Sequence, residues 1–225
     1  MHIPLTKYGL PQVVIYPLLV LAVMVFCFCF LKTKPAVLFA VEIVLFLIFI
    51  WMLAFFRDPL RNINIDEKIL LSPADGTITD IVVVDDSALG VKSLRIGMFL
   101  SVFNVHINRV PCSVRIESVV YRKGKFVNAM SGEASKVNES NDILMVRLHE
   151  PKEKLLVRQI TGAIARHIVC KAAGNEEFSQ GQQFGMIKFG SRTELYLPAG
   201  DHFEVTVKIG DKVQAGLTPI VRYNK

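Results

Sequence analysis

The chain reads as a mainly β protein of barrel-sandwich character, preceded by an α-helical hairpin that spans a membrane or is embedded in one. Three observations predict this. Two long apolar runs lie near the start, short Val- and Ile-rich runs fill the remainder, and Asp-Gly and Gly-Asp turns punctuate those runs. The 225 residues suffice for one ordinary domain plus an appendage.

Residues 11–31 carry no charge and residues 36–56 carry only Glu42. Each run has 21 residues, close to the ~20 that a helix needs to cross ~30 Å of hydrocarbon. A secretory signal fits poorly, because its apolar core is shorter and no second span should follow at once. Only Lys32-Thr33-Lys34-Pro35 joins the runs, so residues 1–56 are expected to form a tight antiparallel hairpin with both chain ends on one side. Lys7, Arg57, Arg61 and Lys68 flank the spans, against Lys32 and Lys34 in the loop. Positive residues favour the cytoplasmic face of a cell membrane, where the rest of the chain is therefore expected. A shallow hairpin dipping into one leaflet fits as well. Glu42 is neutral, paired with another chain, or near the interface; the sequence leaves all three open.

Residues 57–70 are charged and turn-prone and read as a linker, with the β domain at 71–225. From Arg57 onward there are 23 basic and 19 acidic residues. That surplus suits a domain lying against anionic headgroups. It is too small for a nucleic-acid partner and lacks the aromatic-basic signature of one. The four cysteines form no CxxC pair and two lie within the first span, so neither a metal site nor a disulfide framework is expected.

Strands are expected at Thr77–Val84, Leu94–Phe103, Val114–Tyr121, Ile143–Leu148, Leu155–Ile160, Phe184–Phe189, Glu194–Leu197, His202–Lys208 and Pro219–Tyr223. Such spacing of short strands suggests a sandwich or barrel. Ala163–Ala172 reads as a short helix or a turn. The Gly-Asp-Lys-Val-Gln-Ala-Gly stretch at 210–216 echoes biotinyl and lipoyl carrier domains. It lacks their context for a modified lysine, and reads as barrel-sandwich turn grammar.

Gly190-Ser191 carries a chemical option. Glycine offers an unhindered carbonyl and accepts strained backbone angles. The serine hydroxyl can attack that carbonyl and convert the amide to an ester, whose elimination and hydrolysis leave a pyruvoyl group and ammonia. Taken alone, the dipeptide is a common turn. Asp75 in Pro-Ala-Asp-Gly is locally a hairpin turn, and His106 is locally a structural hydrogen-bonder. His2, His149, His167 and His202 read as structural or surface residues. Arg109 and Arg192 match a phosphate or carboxylate geometrically, and surface pairing is equally open for both.

Several collinear stretches change the weight of these residues. Phe56–Pro59 (FRDP), Ser72–Gly76 (SPADG), Phe99–Pro111 (FLSVFNVHINRVP), Tyr121–Ala129 (YRKGKFVNA), Asn138–Asn141 (NESN), Ala165–Cys170 (ARHIVC), Gly185–Pro198 (GMIKFGSRTELYLP) and Gly210–Gly216 (GDKVQAG) occur in order. Together they resemble the short type of phosphatidylserine decarboxylase proenzyme. The resemblance implies self-cleavage between Gly190 and Ser191, giving a β chain of residues 1–190 and an α chain of residues 191–225 that stay associated. It implies a pyruvoyl cofactor made from Ser191, forming a Schiff base with the amine of a serine phospholipid, and no metal. It makes Asp75 a participant in self-cleavage. It places His106 in the active site, protonating the carbanion or activating Ser191, work suited to imidazole near neutral pH. The longer relatives have a second histidine where this chain has Arg109, so the residue that completes an Asp-His-Ser relay is not specified.

Two neighbouring readings remain. An archaetidylserine decarboxylase would use the same headgroup chemistry. A non-enzymatic membrane adaptor with a lipoyl-like β-domain would leave the chain uncut. A soluble amino-acid substrate is disfavoured, since it needs no membrane address. A homo-oligomer is compatible with every one of these readings.

Overall fold

A computed structural model of the chain describes residues 5–86, 89–163, 167–188 and 190–224. They fall into two compact units, Met1–Leu60 and Arg61–Lys225.

The first unit is a helical hairpin. Helix α1 runs Gln12–Leu31 and α2 runs Pro35–Phe55, within one residue of the expected spans. Pro35 sits at the start of α2, where a helix has no use for a backbone N–H and the ring sets φ in advance. The two helices pack on each other, and each is long and apolar enough to cross a membrane. Phe26, Phe28, Phe30 and Phe39 all point outward and are exposed. Helices apolar on every side suit hydrocarbon rather than water.

The second unit is mainly β, as expected from its alternating runs. Its principal sheet has eight strands: β2 (Gly76–Asp86), β3 (Val91–Leu100), β5 (Val114–Arg122), β6 (Ser140–Arg147), β7 (Lys154–Ile160), β9 (Glu177–Phe178), β11 (Ser191–Pro198) and β13 (Lys212–Val213). Their order is β13-β2-β3-β11-β7-β6-β5-β9, and the sheet curls into a half-barrel. Two three-stranded sheets complete the unit. One joins β1 (Ile69–Leu71), β14 (Pro219–Tyr223) and β12 (Phe203–Val205); the other joins β4 (Ile107–Arg109), β10 (Gln183–Lys188) and β8 (His167–Cys170). The pairs within all three sheets are antiparallel. One turn of helix, α3, covers Ala134–Val137.

Alternation builds the core. On β3, Leu94, Ile96, Met98 and Leu100 face inward, and opposite them on β11 stand Leu197, Leu195, Thr193 and Ser191. Ile143 and Met145 of β6 and Leu155 and Val157 of β7 join the same buried cluster. Successive residues of a strand point to opposite faces, so even-numbered residues of β11 belong to the other side of the sheet.

The structure corrects three local expectations. Ala163–Ala172 is neither helix nor turn throughout, because His167–Cys170 is strand β8, hydrogen-bonded along β10; residues 164–166 lie outside the described residues, as do Phe189 and His2. The strand expected to reach Phe103 stops at Leu100, since Asn104 turns the chain back by accepting from the N–H and hydroxyl of Ser101 at 2.9 and 2.8 Å. The expected linker ends early, because Ile69 and Leu70 pair with β14.

Ile96 is completely buried, whereas Ile209 is exposed. Ile96→Ala is expected to lower the unfolding free energy by about 2–5 kcal/mol, and Ile209→Ala by no more than ~0.5 kcal/mol. Denaturant unfolding of the full chain in detergent measures both.

Candidate active site

The site grows from the position of β11, which lies between β3 and β7. Its first residue, Ser191, pairs with Leu100 and is completely buried on the inner face. The Ser191 hydroxyl has no hydrogen-bond partner among the described residues. A buried hydroxyl left unpaired is uncommon and costs free energy. Just before it, Gly190 adopts φ +65°, a conformation that glycine reaches without the penalty of a Cβ. The Gly190 carbonyl oxygen lies directly over Gly162, where any side chain would press into it.

His106 reaches this bond from the loop ahead of β4. Its Nδ1 lies 2.9 Å from the Asn104 carbonyl oxygen, and its Nε2 accepts the Gly190 N–H at 3.2 Å. A carbonyl can only accept, so Nδ1 carries the proton and Nε2 keeps its lone pair. The Asn104 turn thus fixes both the tautomer and the direction of the imidazole. His106 is fully buried, and it is the sequence-derived candidate that the structure brings directly to Gly190-Ser191.

Beside Ser191 the inner face is polar rather than apolar. Asn108 of β4 donates to the Thr193 hydroxyl at 3.1 Å, Gln159 donates to Asn108 at 2.8 Å, and Asn141 donates to Gln159 at 3.3 Å. All four are buried. Sequence reasoning missed this chain of amides. Its signal was present as polar residues at inward positions of otherwise apolar strands, but only the register shows that they meet.

Asp75 lies at the turn directly before β2. Its carboxylate takes a two-point ion pair from Arg61, 2.8 Å at each oxygen, and accepts the Ala215 N–H at 2.8 Å. Arg61 also reaches the Ala215 carbonyl. Asp75 therefore fastens the 214–216 turn. Arg61 was read from sequence only as a flanking charge.

The two arginines proposed for an anion are also occupied. Arg109 donates to the Gly181 carbonyl at 2.9 Å and is buried. Arg192 lies on the outer face of β11, opposite to Ser191. Its Nε bonds Glu194 at 2.6 Å, one terminal nitrogen bonds Thr79 at 2.8 Å, and the other pairs with Asp80. The same face carries Arg158, paired at two points with Asp142, and Tyr196, which donates to Glu194 at 2.6 Å. Lys188, two residues before Gly190, is buried, and its burial pulls its pKa down. Next to Gly190 a cavity of about 330 Å³ opens between Phe99, Val102, Phe103, Ala129 and Ala163.

The outer ion network has a pH signature. Burial pushes the Asp80 carboxyl up, but Arg192 and Arg95 outweigh that and hold it below its usual value of 3.8. A depressed carboxylate adds stability that is complete above its unfolded pKa and is lost as pH falls through its folded one. Asp80→Asn is expected to lower the unfolding midpoint at neutral pH and to flatten its fall below pH 3.8. Thermal scans across pH on the full chain measure both.

Comparison with known proteins identifies the family. The family model described as phosphatidylserine decarboxylase matches residues 48–221. A phosphatidylserine decarboxylase proenzyme of Rhodopirellula baltica is 40% identical over 225 residues, covering 99% of this chain and 90% of that protein. That of Carboxydothermus hydrogenoformans is 43% identical over 185 residues, with 82% and 85% covered, and that of Pelagibacter ubique 41% over 177, with 77% and 80% covered. Matches of this extent, collinear across both the hairpin and the β unit, establish that the chain belongs to the phosphatidylserine decarboxylase family of enzymes.

Proposed function

We propose that the chain cuts itself between Gly190 and Ser191 and then decarboxylates phosphatidylserine to phosphatidylethanolamine with a pyruvoyl group made from Ser191. The observation that carries this reading is the buried, unpartnered Ser191 hydroxyl, which follows a left-handed Gly190 whose N–H is held by His106 Nε2.

The maturation steps balance within the chain. The Ser191 oxygen attacks the Gly190 carbonyl carbon, its proton passing to a base, and the carbon–nitrogen bond breaks to leave an ester and a free amine. Loss of the Cα proton expels the Gly190 carboxylate and leaves a dehydroalanine. Water then replaces its nitrogen, releasing ammonia. His106 Nε2 keeps its lone pair at the Gly190 N–H and serves as the base when the Ser191 side chain rotates to donate to it. The left-handed conformation at Gly190 presents the carbonyl, and Gly162 leaves room for it.

Residue 191 fits the group it would become. The hydroxyl that disappears makes no hydrogen bond, so its loss strands no partner. A pyruvoyl group there supplies a carbonyl conjugated with an amide, an acceptor for the electron pair released as carbon dioxide leaves. His106 then holds a proton at Nε2 for return to the substrate carbon. The apolar cavity beside Gly190 is the place for the lipid near its headgroup. Arg61, through Asp75, fixes the 214–216 turn. The flanking lysines and arginines put the β unit on the cytoplasmic face.

Intact-mass analysis of the purified chain is expected to show one product ending at Gly190 and a second, residues 191–225, with a blocked N-terminus. A chain that stays whole under native conditions overturns the proposal. Ser191→Ala is expected to abolish both cleavage and carbon dioxide release. His106→Ala is expected to slow at least one of them by 10²-fold or more. Gly162→Val is expected to accumulate uncut chain on denaturing gels, because its side chain displaces the Gly190 carbonyl.

A further inference from the structure

We infer that the exposed segment 121–136, together with Phe103, is a docking surface for an anionic lipid bilayer, set at the mouth of the cavity beside Gly190. This rests on the proposed reaction only for its purpose; the surface is argued from its own residues. Phe103 is 72% exposed, Met130 64% and Phe126 36%. Soluble surfaces rarely leave large apolar groups clustered without a binding role. Phe103 and Ala129 line one cavity, so the two loops meet there, and Met130 follows directly.

Cations are interleaved with these apolar groups. Arg122, Lys123, Lys125 and Lys136 are exposed, and Glu133 is the one acid between residues 121 and 136. Arg122 pairs with Asp142 at 2.8 Å. No ion pair is described for Lys123, Lys125 or Lys136. Aromatic rings among lysines match the level of lipid headgroups, where rings sit at the interface and ammonium groups meet phosphate and carboxylate.

The segment is also held firmly, as a docking surface must be. Asn138 accepts the Val127 N–H at 2.9 Å and donates to the Val127 and Thr161 carbonyls at 2.8 Å. Lys125 pairs with Val137 and Glu139 through its backbone. The backbone is fixed while the lysine ends and the Phe103 and Met130 side chains face outward. Docking here would bring the bilayer to the mouth of the cavity.

The test uses the full chain with its single tryptophan moved, Trp51→Phe with Met130→Trp, in an uncut Ser191→Ala background. It is reconstituted in vesicles of phosphatidylcholine alone or mixed with phosphatidylserine, each containing lipid brominated near the headgroup. Quenching is expected with phosphatidylserine, weakened by salt and by Lys123→Ser with Lys125→Ser. No quenching, or equal quenching in both lipids, overturns the inference. In the otherwise native enzyme, the double lysine variant is expected to raise KM on phosphatidylserine vesicles by about fivefold per cation removed. Self-cleavage and turnover of dispersed short-chain phosphatidylserine should stay unchanged. An equal loss on the short-chain substrate would place the lysines in the reaction and sink the docking role. Absence of cleavage in the native chain would instead defeat the proposed reaction and leave the quenching result to stand or fall alone.

Discussion

The rest of the β unit depends on the anchoring of residue 191 as the first residue of the central strand. β11 is hydrogen-bonded on both sides, to β3 from Ser191 to Pro198 and to β7 from Arg192 to Tyr196. Ser191 is fixed by the β3 ladder and Arg192, directly after it, by both, so whatever forms at position 191 stays aimed at the inner face. Directly ahead of it the chain passes through a left-handed Gly190 whose N–H is held by His106. Strand meets special turn at the bond proposed to break. Active groups are held most accurately on regular elements, and the strain of an unusual backbone angle is tolerated where the neighbouring structure determines it.

The two faces of that strand solve different electrostatic problems. On the inner face, the row Thr193, Asn108, Gln159 and Asn141 passes hydrogen bonds from one buried amide to the next. It ends the apolar core without leaving these groups bare, which matters because a half-satisfied buried network is worse than an apolar one. Ser191 sits beside this row and is the exception to it. On the outer face, Arg192, Asp80, Glu194, Tyr196, Arg158 and Asp142 are joined by ion pairs and charge-assisted bonds. Such a network adds little net stability over an apolar core, but breaking one member is costly. Its value lies in fixing the register of β11 against β2 and β7, and so the position of Ser191 on the other side.

Legibility in the sequence followed the range of the interactions. The two helices were plain because a helix in lipid satisfies its own backbone, so composition alone locates it. Strands such as β5 and β7 were plain because each alternates or runs apolar over a full length. β4 and β8 were missed because they are short and owe their form to β10 lying between them, a partner that no local pattern reveals. For the site, Gly190, Ser191 and His106 were singled out through a resemblance that preserves order along the chain. The partners of Asp75 and Arg192 were hidden because Arg61 and Asp80 are distant in sequence, and a guanidinium looks alike whether it awaits an anion or already holds one. Strand parity could have warned about Arg192: adjacent residues of a strand face opposite ways, so a serine and the arginine after it cannot both line the same pocket.

Topology also explains how the fold tolerates the proposed cut. The piece beginning at Ser191 would contain β11 to β14, and these strands are woven into the other piece at separate places: β11 between β3 and β7, β13 against β2, and β14 against β1. The Asp75 carboxylate accepting the Ala215 N–H, with Arg61 on the Ala215 carbonyl, adds a further tie across the same division. None of these contacts runs through the Gly190–Ser191 peptide. Its loss removes one covalent restraint from an interface that behaves as a domain core, where apolar burial and ladder hydrogen bonds do the holding. The proposed cut thus falls where a left-handed turn joins a strand that is held from both sides, with His106 already hydrogen-bonded next to it.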